Sequence, residues 1–382
     1  MLNLFNLGRL AREGGIACVI LTAAMLVANA TLAQTTHTVN SGTVINTWMD
    51  FIPDAIDMAP VDSVQVNGGT FENGIQGIDA RSITDITVSG GGAVNQIGSN
   101  VTGVFRLDGA GTQGSNYGSA ASVELQRGTF TNWQSGSIGN FDMTSGNFSN
   151  RGTIISGTIS EGDLNNSGTI TTLTQNEGLV INSGAITNLT FGGGTYNNRG
   201  GTIGTLTLAG DATGVSFGTV SNLAFDTANG SGLMTITAFA DGTYGSGINI
   251  GTANNAGTAN LAGGNISLNL TALAGDFFGD SVFGGADDFA NWIGFGNSRS
   301  FSLSDMFGGA GVSNVEDLNT FDIVFGNDSF NIFNSTDRWM TGVLSFTYSD
   351  GQINANVVPE PATLAIIGLG LAGLGLARRR KK

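Results

Sequence analysis

Four carboxylates crowd one glycine- and phenylalanine-rich stretch: Asp276, Asp280, Asp287 and Asp288. Oxygen ligands this close in sequence could wrap a Ca²⁺ ion. The run lacks, however, the ordered spacing of an EF-hand loop and the Gly/Asp nonapeptide pattern of Ca²⁺-binding β-rolls. Solvated loop acids are therefore expected, with no resident metal or cofactor. Composition leaves little room for other chemistries. The one cysteine, Cys18, lies in an apolar leader, so the exported chain has neither a disulfide nor a thiol nucleophile. The one histidine, His37, lies just beyond that leader, where chain termini fray. A zinc site of nitrogen and sulfur ligands, or a Ser-His-Asp triad, needs residues this chain does not supply. No catalytic residue is assigned.

Residues 1 to 33 have the three-part layout of a secretory signal: Arg9 and Arg12, an apolar core from Ile16 to Ala28, and small residues at a cleavage point. Signal peptidase is expected to cut after Ala33, in Thr31-Leu32-Ala33, in preference to Ala30. Of the 14 basic residues, Arg9 and Arg12 leave with this leader and five close the chain at 378–382, so seven remain, all arginine. Of the 29 acidic residues only Glu13 and Glu360 leave, so 27 acids face seven bases and the body carries a net charge near −20. Such a body repels nucleic acid and anionic lipid, and the charge keeps a β-rich surface soluble.

At the other end, Val358-Pro359-Glu360-Pro361 precedes an apolar run, Ala362 to Ala377, and then Arg378-Arg379-Arg380-Lys381-Lys382. The order suits a transient membrane stop: a rigid break, a helix-capable apolar segment, and a basic cluster that resists crossing the bilayer. The 16 apolar-run residues, at about 1.5 Å each, reach about 24 Å, short of the roughly 30 Å hydrocarbon core. Gly368, Gly370, Gly373 and Gly375 also offer no side-chain volume. A weak, temporary transmembrane helix fits better than a permanent single-span anchor, which is the alternative. This tail resembles the PEP-CTERM sorting signal, over about the last 25 residues. The resemblance implies an exosortase as processing partner, export across the inner membrane with transient anchoring there, and a final place at the cell surface or outside it. It also implies a setting of exopolysaccharide or biofilm matrix.

Between the ends lies a repeat. With 61 glycines, only four prolines and 40% apolar residues, the body reads as many short strands joined by tight turns. Ile138, Ile154, Ile170, Ile186, Ile203 and Val220 are spaced 16, 16, 16, 17 and 17 apart. Three residues after each begins an i, i+2 pair such as Phe141/Met143, Gly157/Ile159, Leu173/Gln175 or Leu189/Phe191, which is strand periodicity. Phe148, Leu164, Val180 and Tyr196 mark a second strand, followed by Asn150, Asn166, Asn182 and Asn198 and then by Gly152, Gly168, Gly184 and Gly200. An Asn-x-Gly corner lets the chain bend through φ > 0, and stacked asparagines can join in an amide ladder. Such a stack is a β-solenoid, because one coil cannot bury its Ile, Leu and Phe alone whereas stacked coils can. Gly157 and Gln175, at inward positions, are expected to mark local thinning or a bulge. Strand twist favours a right-handed β-helix.

The fold expectation is therefore all-β: a β-solenoid of about 16–17 residues per coil, then a β-rich cap or sandwich, then a C-terminal transmembrane helix. Its parts are signal peptide 1–33, N-terminal cap 34–59, solenoid 60–228, β-rich region 229–352, linker 353–358 and sorting signal 359–382, with the helix at 362–377. Arg151 and Arg199 share one corner, with Ser167 and Ser183 between them, and read as exposed corner residues. The function expected is structural or adhesive, with exopolysaccharide as partner and no nucleic acid. The alternative is a carbohydrate-active β-helix enzyme, which would need carboxylates grouped in a cleft.

Overall fold

Each coil divides into a short strand, a corner, a long strand and a second corner. Asn147–Asn150 leads to Thr153–Ile159, Asp163–Asn166 to Thr169–Gln175, and Leu179–Asn182 to Ala185–Phe191. The computed structural model describes residues 36–41, 43–46, 55–56, 63–73, 82–96, 100–213, 215–228, 232–239, 243–252, 255–273, 289, 292–293, 297–326, 328–333, 336–339, 342–359, 369 and 371–372. Alternation turns Phe148 and Asn150 inward on the short strand, and Ile154, Gly157 and Ile159 inward on the long one. Two outward residues, Ile155 and Ser156, separate Ile154 from Gly157, so the alternation loses a beat and the long strand bends. The protein is an all-β solenoid, as its spacing indicates.

The aligned isoleucines are the register of its long sheet: Ile138, Ile154, Ile170, Ile186, Ile203 and Val220 pair in parallel, one coil to the next. The columns Phe141-Gly157-Leu173-Leu189-Leu206-Leu223 and Met143-Ile159-Gln175-Phe191-Leu208-Phe225 run beside them. Burying each such Leu, Ile or Phe contributes roughly 1.5–3 kcal/mol, and only because the coils above and below cover it. Gly157 and Gln175 sit in this register without the bulge expected of them. A Cβ added at Gly157 would lie 3.1 Å from the Phe141 ring and 3.4 Å from Leu173, whose side chains already fill the space. Gln175 turns its amide to donate to the carbonyls of Gly178 (3.2 Å) and Thr195 (3.0 Å).

Of the corner glycines, Gly200 takes the left-handed backbone expected of it, at φ +83°, while Gly152, Gly168 and Gly184 serve a different end. At Gly168, in an Asn-x-Gly corner, the need is close approach: a Cβ there would sit 2.1 Å from the carbonyl oxygen of Gly152 in the coil before. Left-handed backbone recurs coil after coil at the opposite corner, as at Gly162 with φ +90°.

The solenoid extends beyond both of its expected ends. Thr36–Val39 pairs in parallel with Ser63–Val66, and Thr43–Asn46 with Thr70–Asn73, so residues expected to form a cap supply rungs of the stack. Ala55–Ile56 lies on the outer edge of the short sheet. Downstream, Leu233–Ala238 pairs in parallel with Asn265–Asn269, and that strand with Thr320–Phe325. Stacking thus persists to residue 325, where a separate β-rich region had been expected from 229. A four-stranded antiparallel sheet follows in space, ordered Ser298–Ser302, Gln352–Pro359, Gly342–Ser349, Thr336–Trp339. Phe289 packs between the two parts, its ring 5.1 Å from Phe325, 5.3 Å from Phe330 and 6.3 Å from Phe346. The residues read as a linker, 353–358, lie within this sheet: Ile353, Ala355 and Val357 are buried, and apolar residues at every second position hold the segment as a strand.

Candidate sorting segment and solenoid faces

The sorting sequence begins inside folded structure. Gln352–Pro359 is bordered on both sides, by Ser298–Ser302 and by Gly342–Ser349. Val358 is opposite Val343 and Pro359 opposite Gly342. Proline has no N–H to give a ladder, which makes Pro359 a natural last residue for the strand. Leu369, Leu371 and Ala372 are helical and exposed. Glu360, Pro361, the basic Arg378, Arg379, Arg380, Lys381 and Lys382, and the cleavage residue Ala33 all lie outside the described residues, as does most of the expected helix 362–377. Among the described residues no helix is long and apolar enough to cross a membrane.

Inside the solenoid the asparagine ladder is present and longer than its sequence signature. Each Nδ2 donates to the Oδ1 of the next coil: Asn116 to Asn132 (2.9 Å), Asn132 to Asn150 (2.9 Å), Asn150 to Asn166 (2.8 Å) and Asn166 to Asn182 (2.8 Å). The last step, Asn182 to Asn198, stretches to 3.5 Å. All but Asn198 are fully buried, and apart from Asn116 Oδ1, which accepts no hydrogen bond among the described residues, the amides are paired where water cannot reach them. Asn116 and Asn132 escaped the sequence reading because Asn132 and Asn150 are 18 apart, not 16.

A frame fixed in this way presents its outer residues in straight columns. On the long sheet Thr158, Thr174, Thr190 and Thr207 are paired coil to coil, and Ser156, Thr172, Asn188, Thr205 and Asn222 form a parallel column two residues away. Towards the amino end the threonine column becomes charged, with Asp142, Glu124 and Arg106. There Arg106 and Glu124 form an ion pair at 2.7 Å.

Tyr196 is buried and stacks on Phe217 at 5.2 Å. Burial pushes its hydroxyl well above the usual tyrosine value, which the Asn182 amide offsets only in part. Tyr244 is raised by burial and then by the Asp305 charge. It lines a cavity of about 310 Å³ with Phe239, Trp292, Arg299 and Phe301. Arg299 caps the Trp292 ring there at 3.9 Å and donates to the Trp292 carbonyl. Among the described residues no three His, Cys, Asp or Glu side chains are grouped to hold a metal. The candidate ligands Asp276, Asp280, Asp287 and Asp288 lie outside those residues.

The PEP-CTERM protein-sorting motif matches residues 357–381. No curated protein and no solved structure matches the chain. The chain therefore carries an exosortase-directed sorting segment, with export, transient membrane anchoring and processing as its consequences.

Proposed function

We propose that the processed body is a non-enzymatic structural or adhesive protein of an exopolysaccharide or biofilm matrix, at the cell surface or beyond it. The observation that carries this reading is the pair of polar columns on the long sheet, Thr158-Thr174-Thr190-Thr207 beside Ser156-Thr172-Asn188-Thr205-Asn222. Threonine hydroxyls and asparagine amides both donate and accept, as sugar hydroxyls do. Contacts repeated at about 4.8 Å per coil are individually weak and sum to avidity on a long polymer. The net negative charge of the body keeps copies apart and works against nucleic acid as a partner.

Fractionation of the producing culture tests the reading. The processed protein should sediment with extracellular polysaccharide, and should return to the soluble fraction in a strain that makes none. Equal solubility in both strains would refute it.

A further inference from the structure

The residue after each ladder position occupies one corner of the coil. Along that corner come Tyr117, Trp133, Arg151, Ser167, Ser183 and Arg199; Tyr117 donates its backbone N–H to the Gln96 carbonyl, and each of the others to the ladder asparagine of the coil before. Tyr117 and Trp133 lie ring on ring, centroids 5.2 Å apart and planes 10° from parallel. The Arg151 guanidinium sits 4.5 Å from the Trp133 ring centre. Tyr117 is 38% exposed. Beside this wall the outward residues of the short strands, Asn95, Ser115, Thr131, Ser149, Asn165 and Ile181, stand in one column as a floor. Two depressions lie along it: one of about 310 Å³ against Tyr117 and Trp133, one of about 160 Å³ against Arg151, Ser167 and Ser183.

We propose that this groove binds a neutral polysaccharide chain laid parallel to the solenoid axis. The inference rests on the matrix reading above and assigns it a site. A sugar ring has an apolar C–H face and a rim of hydroxyls. An aromatic wall beside a hydroxyl and amide floor meets both requirements, and rigid aromatic side chains supply contact area at little entropic cost. Ser115 donates to Asn95 Oδ1 at 2.8 Å and so orients that amide. Thr131, Ser149 and Asn165 have no side-chain hydrogen bond within the described structure and are available to a ligand. The six floor rungs span about 24 Å at about 4.8 Å each, so the site suits a chain and not a single sugar. Charge selects among chains: a body near −20 repels an acidic glycan, and Arg151 is already engaged with Trp133. The threonine columns of the long sheet have hydroxyls without a ring wall, which distinguishes this groove from them.

The full chain in detergent is titrated with a β-1,4-linked glucose hexasaccharide, an N-acetylglucosamine hexasaccharide and a galacturonate hexasaccharide, read by calorimetry. The variants are Tyr117→Ala, Trp133→Leu and Thr131→Val in the groove, with Thr144→Val and Glu161→Gln, exposed at the opposite corner of the coil, as controls. At least one neutral probe should bind, Tyr117→Ala and Trp133→Leu should each weaken it by about tenfold, and the controls should stay within about twofold. The galacturonate probe should bind more weakly than the neutral one. Should Trp133→Leu fail to fold, Tyr117→Ala decides alone, since that ring is exposed. Neutral binding left intact by Tyr117→Ala, a preference for galacturonate, or binding lost only in the controls overturns the groove while leaving a matrix role standing. No binding of any probe overturns the groove as well, and the culture fractionation then decides the matrix role separately.

Discussion

Replacing Asn166 with alanine tests whether the ladder holds the coils together. Asn166 accepts from Asn150 Nδ2 and donates to Asn182 Oδ1, both at 2.8 Å, in a fully buried setting. Without it, Asn150 Nδ2 is left with only the Thr169 carbonyl at 3.5 Å. Asn182 Oδ1 keeps one donor, the Gly184 N–H at 3.3 Å. One buried amide nitrogen is thus almost orphaned, at about 1–3 kcal/mol, and one acceptor is weakened, at about 1 kcal/mol. The expected loss is about 2–4 kcal/mol. Asn165→Ala, one residue away but outward, should change stability by less than about 0.5 kcal/mol. Urea unfolding of the two variants beside the parent, followed by circular dichroism, makes the comparison. A loss for Asn166→Ala no larger than that for Asn165→Ala would refute the reasoning, because the ladder would then contribute nothing beyond an exposed amide.

Gly162→Ala should cost at least ~2 kcal/mol, since φ is +90° and the new Cβ would meet the Gly146 carbonyl oxygen at 2.6 Å, whereas Gly157→Ala, which meets only movable side chains, should cost under ~1 kcal/mol; the same urea titration separates them. Tyr196→Phe removes a buried hydroxyl that has no partner of good geometry, and should raise stability by about 1 kcal/mol. Because burial raises the folded-state pKa of Tyr196, the stability it guards is complete below the ordinary value of 10.0 and is lost as pH rises past it, so thermal melts of Tyr196→Phe should show a shallower alkaline fall than the parent. Gln175→Leu should change stability by less than about 1 kcal/mol, because the Gly178 carbonyl keeps the Thr195 N–H at 2.8 Å while an unpartnered Oε1 is removed.

The central coils were legible because their length barely varies. From Ile138 to Val220 every repeat is 16 or 17 residues, so inward positions align by counting. The same count fails at the ends, where rungs that touch are far apart in sequence: Thr36 to Ser63 is 27 residues, Met234 to Ile266 is 32 and Ile266 to Phe321 is 55. Loop length costs little entropy once the strands match, so insertions hide the repeat without breaking the stack. The strand Gln352–Pro359 carried an ordinary signal, Ile353-Ala355-Val357 alternating with Asn354 and Asn356, but its polar half reads as a leash when taken alone. Tyr117 and Trp133 could have been found from their place directly after Asn116 and Asn132, had those been recognised as ladder residues. The glycine corners were located correctly, and Gly200 turns left-handed as expected, but at Gly152, Gly168 and Gly184 the reason differs, since close approach to the neighbouring coil is invisible to local turn rules.

The central claim is that this body is exported and then released from its tail at the Pro359-Glu360-Pro361 segment. The direct measurement is the intact mass of the protein from its native host, in a normal strain and in one lacking exosortase activity. A chain beginning after Ala33 and ending near Pro359 is expected in the first strain, and one retaining Arg378 to Lys382 in the second. A chain that keeps Arg378 to Lys382 in both strains would mean a permanent anchor and would contradict the claim.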